Sequence, residues 1–578
     1  MMSVIGTIDS VKWLTVYELM MCIINLFVLT IYAVPIKKHY RWFDFLPGVG
    51  MLAALASIVS GDTTIPALII DSLTLLLFLC TIKRLFKPKV RTAPKNKASR
   101  SIRSAICVSG VVPIVIVVMY AGVLRYNPVS DLSGMRYSQA FVEMNERLSR
   151  EYPFGEWKKI DWNERRSKYE PIFEQAEKDK NFDLYYKTLR EYLFSLRDGH
   201  VKIVNDNVYD GNKVFKKEVG GGFGLSTVQL DNGKVFVNLI LENSPAEKSG
   251  IKLGAEIVMW DGKTGKDAFD RTTWSETSVA TAEAKRFNQG RFMARAPIGK
   301  EVQVEFRNWG ETKSVQTKLT AYDDQFETLK RTRTKLTQAD LDVSPVEGEL
   351  MNNGYGYVKI KHFLPEQSVT APEKSLANLL KKFQEEHAKG LIIDLRNNPG
   401  GDDQLAANLA GFFVNEKKHY EYVSYYNRYN GKFELNRNEV VTVKPAKPYF
   451  DGKVALLINS GTGSSGEGMP LVLKGLPNVK IVGFTSTAGS FGLMSSPIEI
   501  KMPEGYILQF PDGRSLNQDK IVQGDADQSG EGGVAPDVKI PLNEETFQES
   551  VMNGQDVELK YGIQALDQIE NLPKLNAP

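Results

Sequence analysis

Three short, largely apolar runs, GLIIDL (390–395), KVALLIN (453–459) and VKIVGF (479–484), are separated by segments long enough to be helices. A strand buried on both faces reads as a continuous apolar run. Strands alternating with helix-length segments favour an α/β arrangement with parallel pairings. The strand-like YGYVKIKHF (355–363) and an amphipathic stretch, Ser375–His387, with Leu376, Leu379, Leu380 and Phe383 on one face, precede the first run. At 578 residues the chain is too long for one core, so this sheet accounts for only part of it.

The hydrophobic period changes along the chain. Residues 136–200 repeat apolar positions at three- and four-residue spacing (Tyr137, Phe141, Met144, Leu148, Tyr152), as helices do, and end in LRDGHVKI. Residues 215–322 switch to short alternating strands such as KVFVNLIL and EVQVEF, and a polar linker follows. The expected order is a helical module at 126–214, a β domain at 215–322, a linker at 323–345 and an α/β core at 346–578. Within the β domain, GGGFGL (220–225) and NSPAEKSGIKLGAEIVMWDGK (243–263) together resemble a PDZ domain. That resemblance implies that Gly222, Phe223, Gly224 and Leu225 form a loop offering N–H groups to a peptide's terminal carboxylate.

The first 125 residues read differently. Leu14–Val34, Phe43–Ser60, Thr63–Ile82 and Ala105–Leu124 are apolar over about the length that crosses a bilayer as a helix. Basic residues cluster at Lys37, Lys38 and Arg41, and nine more lie between Lys83 and Arg103, whereas Gly61–Asp62 has none. By the positive-inside tendency, the expectation is four transmembrane helices, with everything after residue 125 outside the cytoplasm. Asp71, in the third stretch, reads as a bundle-facing carboxyl rather than a relay. The net charge of +3 argues neither for nor against an acidic partner, but its uneven placement favours a lipid bilayer over nucleic acid. All three cysteines (Cys22, Cys80, Cys107) lie in or beside these stretches, so the rest has neither a disulfide framework nor a Cys-rich zinc site.

Two strand ends in the α/β part open into glycine-containing turns: DLRNNPGGDD (394–403) and NSGTGSSGEG (459–468). In open α/β sheets, sites gather beyond the carboxyl ends of strands. A serine at the second turn would stand at a helix N-terminus, where free N–H groups stabilise a developing oxyanion. Such a hydroxyl is inert without a base, and none lies beside it in sequence.

The motifs KGLIIDLRNNPGG, GTGSSGE, VGFTSTAGS and GVAPDVKI, in this order after a helical module and a PDZ-like domain, resemble the C-terminal-processing (tail-specific) serine peptidases. The resemblance covers residues 136 to about 545. It implies that the nucleophile is Ser464, which stands three residues before Glu467 in an S-x-x-E pattern, and not Ser465. The branch using a Ser–Lys dyad takes its Lys from a turn that here reads TSTAGSFG, with Gly489 at the Lys position; Lys474 lies in the nucleophile helix instead. The tricorn-core-like branch takes a His from the DGH motif, present as His200. The implied site is therefore Ser464 as nucleophile, His200 as base and an oxyanion hole from the N–H groups of Ser465 and Gly400 or Gly401. The acid orienting the imidazole is Glu531, with Asp525 and Asp527 as the other candidates. Glu467, Asp394, Arg396, Asn397 and Asn398 would support the two turns. No metal cluster or phosphate loop is visible, and hydrolysis of this kind uses no cofactor. The expected function is a membrane-anchored, extracytoplasmic serine endopeptidase acting on proteins recognised through their C-terminal tails. The alternatives are a non-catalytic peptide- or lipid-binding receptor on a degenerate core and a hydrolase of small esters.

Overall fold

The computed structural model describes residues 72, 74–76, 79, 129–333, 336–364, 371–427 and 431–569. Residues 1–127 and 128–578 are two separate compact units. The four-helix transmembrane segment expected for the first unit is corrected: among the described residues, no helix is long and apolar enough to cross a membrane. Apolar length makes a span affordable in lipid, but crossing takes about 20 residues in one continuous helix. The few described residues of the Thr63–Ile82 stretch are helical; the other three stretches and Asp71 lie outside the described residues.

The second unit begins with strand β1 (Val129–Asp131) and helices α1 (Tyr137–Glu151), α2 (Trp162–Lys178) and α3 (Phe182–Phe194). Asp161 caps α2 by accepting the N–H groups of Asn163 and Glu164, and Asn181 caps α3 through Leu184. Each such cap contributes about 1 kcal/mol. The DGH turn follows α3 and leads into β2 (Lys202–Ile203).

The β domain contains β3 (Leu225–Gln229), β4 (Val235–Ile240), β5 (Glu256–Trp260), helix α4 (Ala282–Phe292), β6 (Glu301–Arg307) and β7 (Val315–Thr320). Its strands lie in the order β7-β6-β5-β4-β3, all antiparallel, so β3 is an edge. Every second residue of β6, Val302, Val304 and Phe306, is buried, which is why EVQVEF alternates.

The α/β core runs β8 (Val346–Leu350), β9 (Gly356–Ile360), α5 (Pro372–Glu385), β10 (Leu391–Asp394), α6 (Asp403–Ala410), β11 (Lys418–Asn427), β12 (Lys432–Val443), β13 (Val454–Leu457) and α7 (Ser465–Leu473). It continues through β14 (Val479–Gly483), β15 (Ile498–Lys501), β16 (Ile507–Phe510), β17 (Gly513–Leu516), β18 (Val538–Lys539) and α8 (Val557–Gln568). The central sheet has the order β8-β9-β10-β13-β14-β18 and is parallel except for the β8–β9 pair. Leu391, Ile393, Val454 and Leu456 pack on the side of α5, α6 and α7, whereas Ile392, Ala455 and Leu457 pack on that of α8. Both faces are covered, so the strands are wholly apolar.

The front helices do not close their own core. Phe141, Phe173, Tyr185 and Tyr192 pack with Ile498, Ile500, Leu508 and Phe510 of β15 and β16, some 300 residues later. Strand β1 pairs with β15, and β2 with β16. This four-stranded sheet carries the DGH turn to the α/β core.

Candidate active site

Strand β13 ends in the turn that carries Ser464, the residue before α7. Ser464 has φ +51° and ψ −135°, outside the regions a β-carbon favours. Such a conformation costs about 1–3 kcal/mol and persists only where its surroundings over-determine it. Here they do: its N–H donates to the Ser490 carbonyl (3.0 Å), its carbonyl accepts from Glu467 (2.7 Å), and the preceding Gly463 N–H donates to the Asn398 carbonyl (2.9 Å). The Ser465 hydroxyl is turned to the Gly401 carbonyl (3.1 Å) and is buried. The partly exposed Ser464 is thus the displayed hydroxyl of the pair.

The turn after β10 faces it. Buried Asn398 donates to the Ile360 carbonyl (3.0 Å) and accepts the Gly400 N–H (2.8 Å). The Gly400 N–H is thereby occupied, whereas those of Ser465 and Gly401 have no acceptor among the described residues. These two N–H groups are therefore available as donors beside Ser464. Gly400, at φ +94°, has a different use: a β-carbon there would lie 2.7 Å from both Ser464 Cβ and the Ser465 nitrogen. Asn397 and Asn459 cross-link the two turns through a side-chain pair at 2.9 Å. Burial raises the Asp394 carboxyl, but Arg396, Lys359 and Tyr357 outweigh it and hold it down to about 2. Arg396 also binds Asp556 and Glu558, tying the first turn to α8.

Ser490 joins His200 to this assembly. Its carbonyl holds the Ser464 N–H, its hydroxyl accepts the Gly199 N–H (3.0 Å), and its own N–H donates to Glu467 (2.9 Å). One residue therefore links the Ser464 backbone, the neighbour of His200 and the S-x-x-E carboxylate. A β-carbon at Gly199 would lie 2.7 Å from the Ser490 hydroxyl, which explains the glycine of DGH. Fully buried Glu467 also accepts from Thr487 and from the Gly489 N–H (2.7 Å). Burial still pushes it up to about 7.

The His200 side chain is only 15 % exposed, and its Nδ1 lies 3.8 Å from Asp198 Oδ1 with no closer partner. Burial lowers its pKa; Asp198 opposes this and Lys202 adds to it. It is consequently neutral, and able to accept a proton, at neutral pH. Asp198 is fully buried, accepting from Tyr152 (2.7 Å) and from the His200 N–H (2.8 Å). Its only signal in the sequence is its place as the first letter of DGH, two positions before His200, where an Asp also suits a turn. Glu531 lies exposed on a turn where its N–H binds Asp527 and Ser529. Asp527 caps that same turn, while Asp525 is fully buried. At the dyad-Lys position, Gly489 has φ +69°, and a β-carbon would meet Thr281 at 2.7 Å. Lys474 bonds the Ala535 carbonyl and pairs with Asp537.

In the β domain, Gly222, Phe223, Gly224 and Leu225 are all buried. Gly222 exchanges hydrogen bonds with Tyr322, and the Phe223 ring packs edge-on against Trp260. The edge of β3 beside this loop is covered by α4. Thr227 donates to the Gly290 carbonyl (3.0 Å), a β-carbon at Gly290 would lie 2.1 Å from the Thr227 carbonyl oxygen, and Arg286 binds the carbonyls of Gln229 and Leu230. The other end of α4 touches the turn after β14, which also carries Gly489 and Ser490: Glu283 accepts from the Ser486 N–H and hydroxyl.

Residues 354–540 match the model of peptidase family S41. The chain carries an S41 serine-protease domain. It is 24 % identical over 387 residues to the carboxy-terminal processing protease CtpA of Bacillus subtilis strain 168, covering 65 % of this chain and 70 % of that one. It is 25 % identical over 327 residues to a carboxyl-terminal-processing protease of Synechocystis, covering 56 % of this chain and 64 % of that one. The crystal structure of mature CPAF shares the fold, with a TM-score of 0.51 at 14 % identity, over 75 % of this chain and 96 % of that one. The S41 match begins at Gly354, so it includes Ser464 and both turns but not the segment that supplies His200.

Proposed function

We propose that the chain is a serine endopeptidase in which Ser464 and His200 work as nucleophile and base. Ser490 carries this reading, because it bonds both the Ser464 N–H and the residue next to His200. His200 takes the hydroxyl proton as Ser464 attacks the scissile carbonyl. The oxyanion that forms is held by the N–H groups of Ser465 and Gly401, reinforced by the N-terminal dipole of α7. The imidazolium, facing the Asp198 carboxylate, returns the proton to the leaving amine, and water repeats the sequence on the acyl-enzyme.

The names of the curated relatives support substrates processed at their carboxyl termini. The buried GGFGL loop and the β3 edge support a PDZ-like tail site, which a peptide enters only by displacing α4 from Thr227, Gln229 and Leu230. Cleavage of an unfolded protein with a free C-terminus should exceed that of the amidated form at least tenfold, and Arg286→Ala should lower KM by loosening the cover. Equal rates for the two substrates would remove tail recognition.

Location outside the cytoplasm, in contact with a lipid bilayer, belongs to the same proposal. It is supported by the apolar stretches and basic clusters of residues 14–124. A tag fused after Pro578 should be digested by protease added to intact spheroplasts; protection until lysis would place the catalytic part inside.

A further inference from the structure

Beneath the Ser464–His200 pair lie three buried carboxyl groups and one cation. Asp198 comes from the DGH turn, Glu467 from α7 and Asp525 from the loop before β18. Lys158, from the loop between α1 and α2, donates to the Arg197 carbonyl (2.8 Å) and the Ala526 carbonyl (2.7 Å). Those carbonyls belong to the chain neighbours of Asp198 and Asp525, so the ammonium group brings the two carboxyls together. Trp157 fixes the same loop by donating to the Asp525 carbonyl (3.2 Å).

The carboxyls are not equivalent. Asp198 accepts two hydrogen bonds and Glu467 accepts from three neighbours, so both are partnered. Neither oxygen of Asp525 has a partner; the Phe491 N–H faces it without completing a hydrogen bond. An ionised carboxylate without partners is among the most expensive groups to bury, and the carboxyls of Asp198 and Glu467 worsen its position. Lys158 offsets the charge of Asp198 and leaves no cation for an ionised Asp525 beside a Glu467 already pushed up to about 7. The groups facing Asp525 are Asp198, Lys158, Glu467 and Tyr152, and none of them besides Lys158 can carry a positive charge.

We propose that Asp525 is a positioning residue that stays protonated, so that the Asp198–Asp525 pair carries a single negative charge behind His200. Burial first, and the Asp198 charge second, push its titration far above the ordinary carboxylate range, against the opposing pull of Lys158. Asp198 then remains the anion that faces the imidazolium. Ionisation of Asp525 at alkaline pH adds a second buried negative charge, which repels Asp198 and Glu467 and loosens the turns they hold. The alkaline limb of the pH–rate profile is on this account the titration of Asp525, and the acid limb that of His200.

The proposal rests on the Ser464–His200 reading, and labelling of Ser464 by a fluorophosphonate separates the two. With the full chain, kcat and KM are measured from pH 5 to 10 for wild type, Asp525→Asn, Asp525→Leu and Asp198→Asn. Asp525→Asn keeps a neutral group of the same shape, so kcat near neutrality should fall only severalfold while the alkaline limb disappears. Asp525→Leu should lose more, with the same change in profile, and Asp198→Asn should lose at least 100-fold in kcat with little change in KM. The unfolding midpoint supplies a second readout. A carboxyl with a raised pKa stabilises the fold fully below its unfolded value and loses that contribution as pH rises towards its folded one. Asn has no such loss, so the midpoint of Asp525→Asn should exceed that of wild type by a margin that grows between pH 5 and 8. The proposal is overturned if Asp525→Asn loses as much kcat as Asp198→Asn at neutral pH, or keeps the wild-type alkaline limb. Failure of wild type to label at Ser464 would instead remove the catalytic reading itself.

Discussion

Replacing Ser464 by Ala should lower peptide cleavage by about 10⁴- to 10⁶-fold, and replacing His200 by Ala should come within about tenfold of the same loss. On the proposed mechanism the two act as one unit: Gly489 stands where the Ser–Lys branch carries its lysine, and Lys474 is bound to Ala535 and Asp537. The double variant should therefore be little worse than either single one. Ser465→Ala is the control. It removes one neutral hydrogen bond to the Gly401 carbonyl, worth about 1 kcal/mol, and should leave a readily measurable enzyme. Single-turnover cleavage of an unfolded protein, with circular dichroism to confirm folding, checks all four. Full activity in His200→Ala would sink the Ser–His mechanism. A wild type that binds peptides yet neither cleaves nor labels would favour the receptor.

Gly400→Ala should be the most damaging change outside the reacting groups, lowering kcat by about 10²- to 10³-fold, the range seen when an oxyanion donor is lost. The added carbon would lie 2.7 Å from Ser464 Cβ and the Ser465 nitrogen, both backed by rigid chain, at a φ that L-residues avoid. The lesion falls on the donor that acts in the transition state, so KM should change little. A loss carried in KM instead would show that the turn binds substrate and does not shape the oxyanion hole. Unfolding of the variant would be separated from both by its denaturation midpoint.

Several features were legible in the sequence because they are local. The two-faced burial of β10 and β13 fixes their apolar character, the alternation of β6 reports an exposed face, and positive φ values at Gly224, Gly400 and Gly489 explain glycines within the quoted motifs. The S-x-x-E spacing also has a local cause: one helical turn places Glu467 where it accepts the N–H groups of Gly489 and Ser490. Hydropathy over residues 14–124 was a weaker guide. It measures what lipid would tolerate, and among the described residues no helix long enough to cross is found.

By itself, then, the sequence determined the parallel α/β core, a serine-bearing turn at the start of α7 and the absence of a lysine beside it. These depend on periodicity, turn chemistry and residue size within a few positions. Only the tertiary structure decided which groups meet. Ser490 joins residues 199 and 464, β15 and β16 close the core of helices formed 300 residues earlier, and α4 covers the edge that a tail would use. It also tied up the Gly400 N–H, a candidate oxyanion donor, and placed Glu531 in solvent while burying Asp198 and Asp525. The physical reason is that burial and hydrogen-bond partnership are properties of packed neighbours, and spacing along the chain does not specify which neighbours those are.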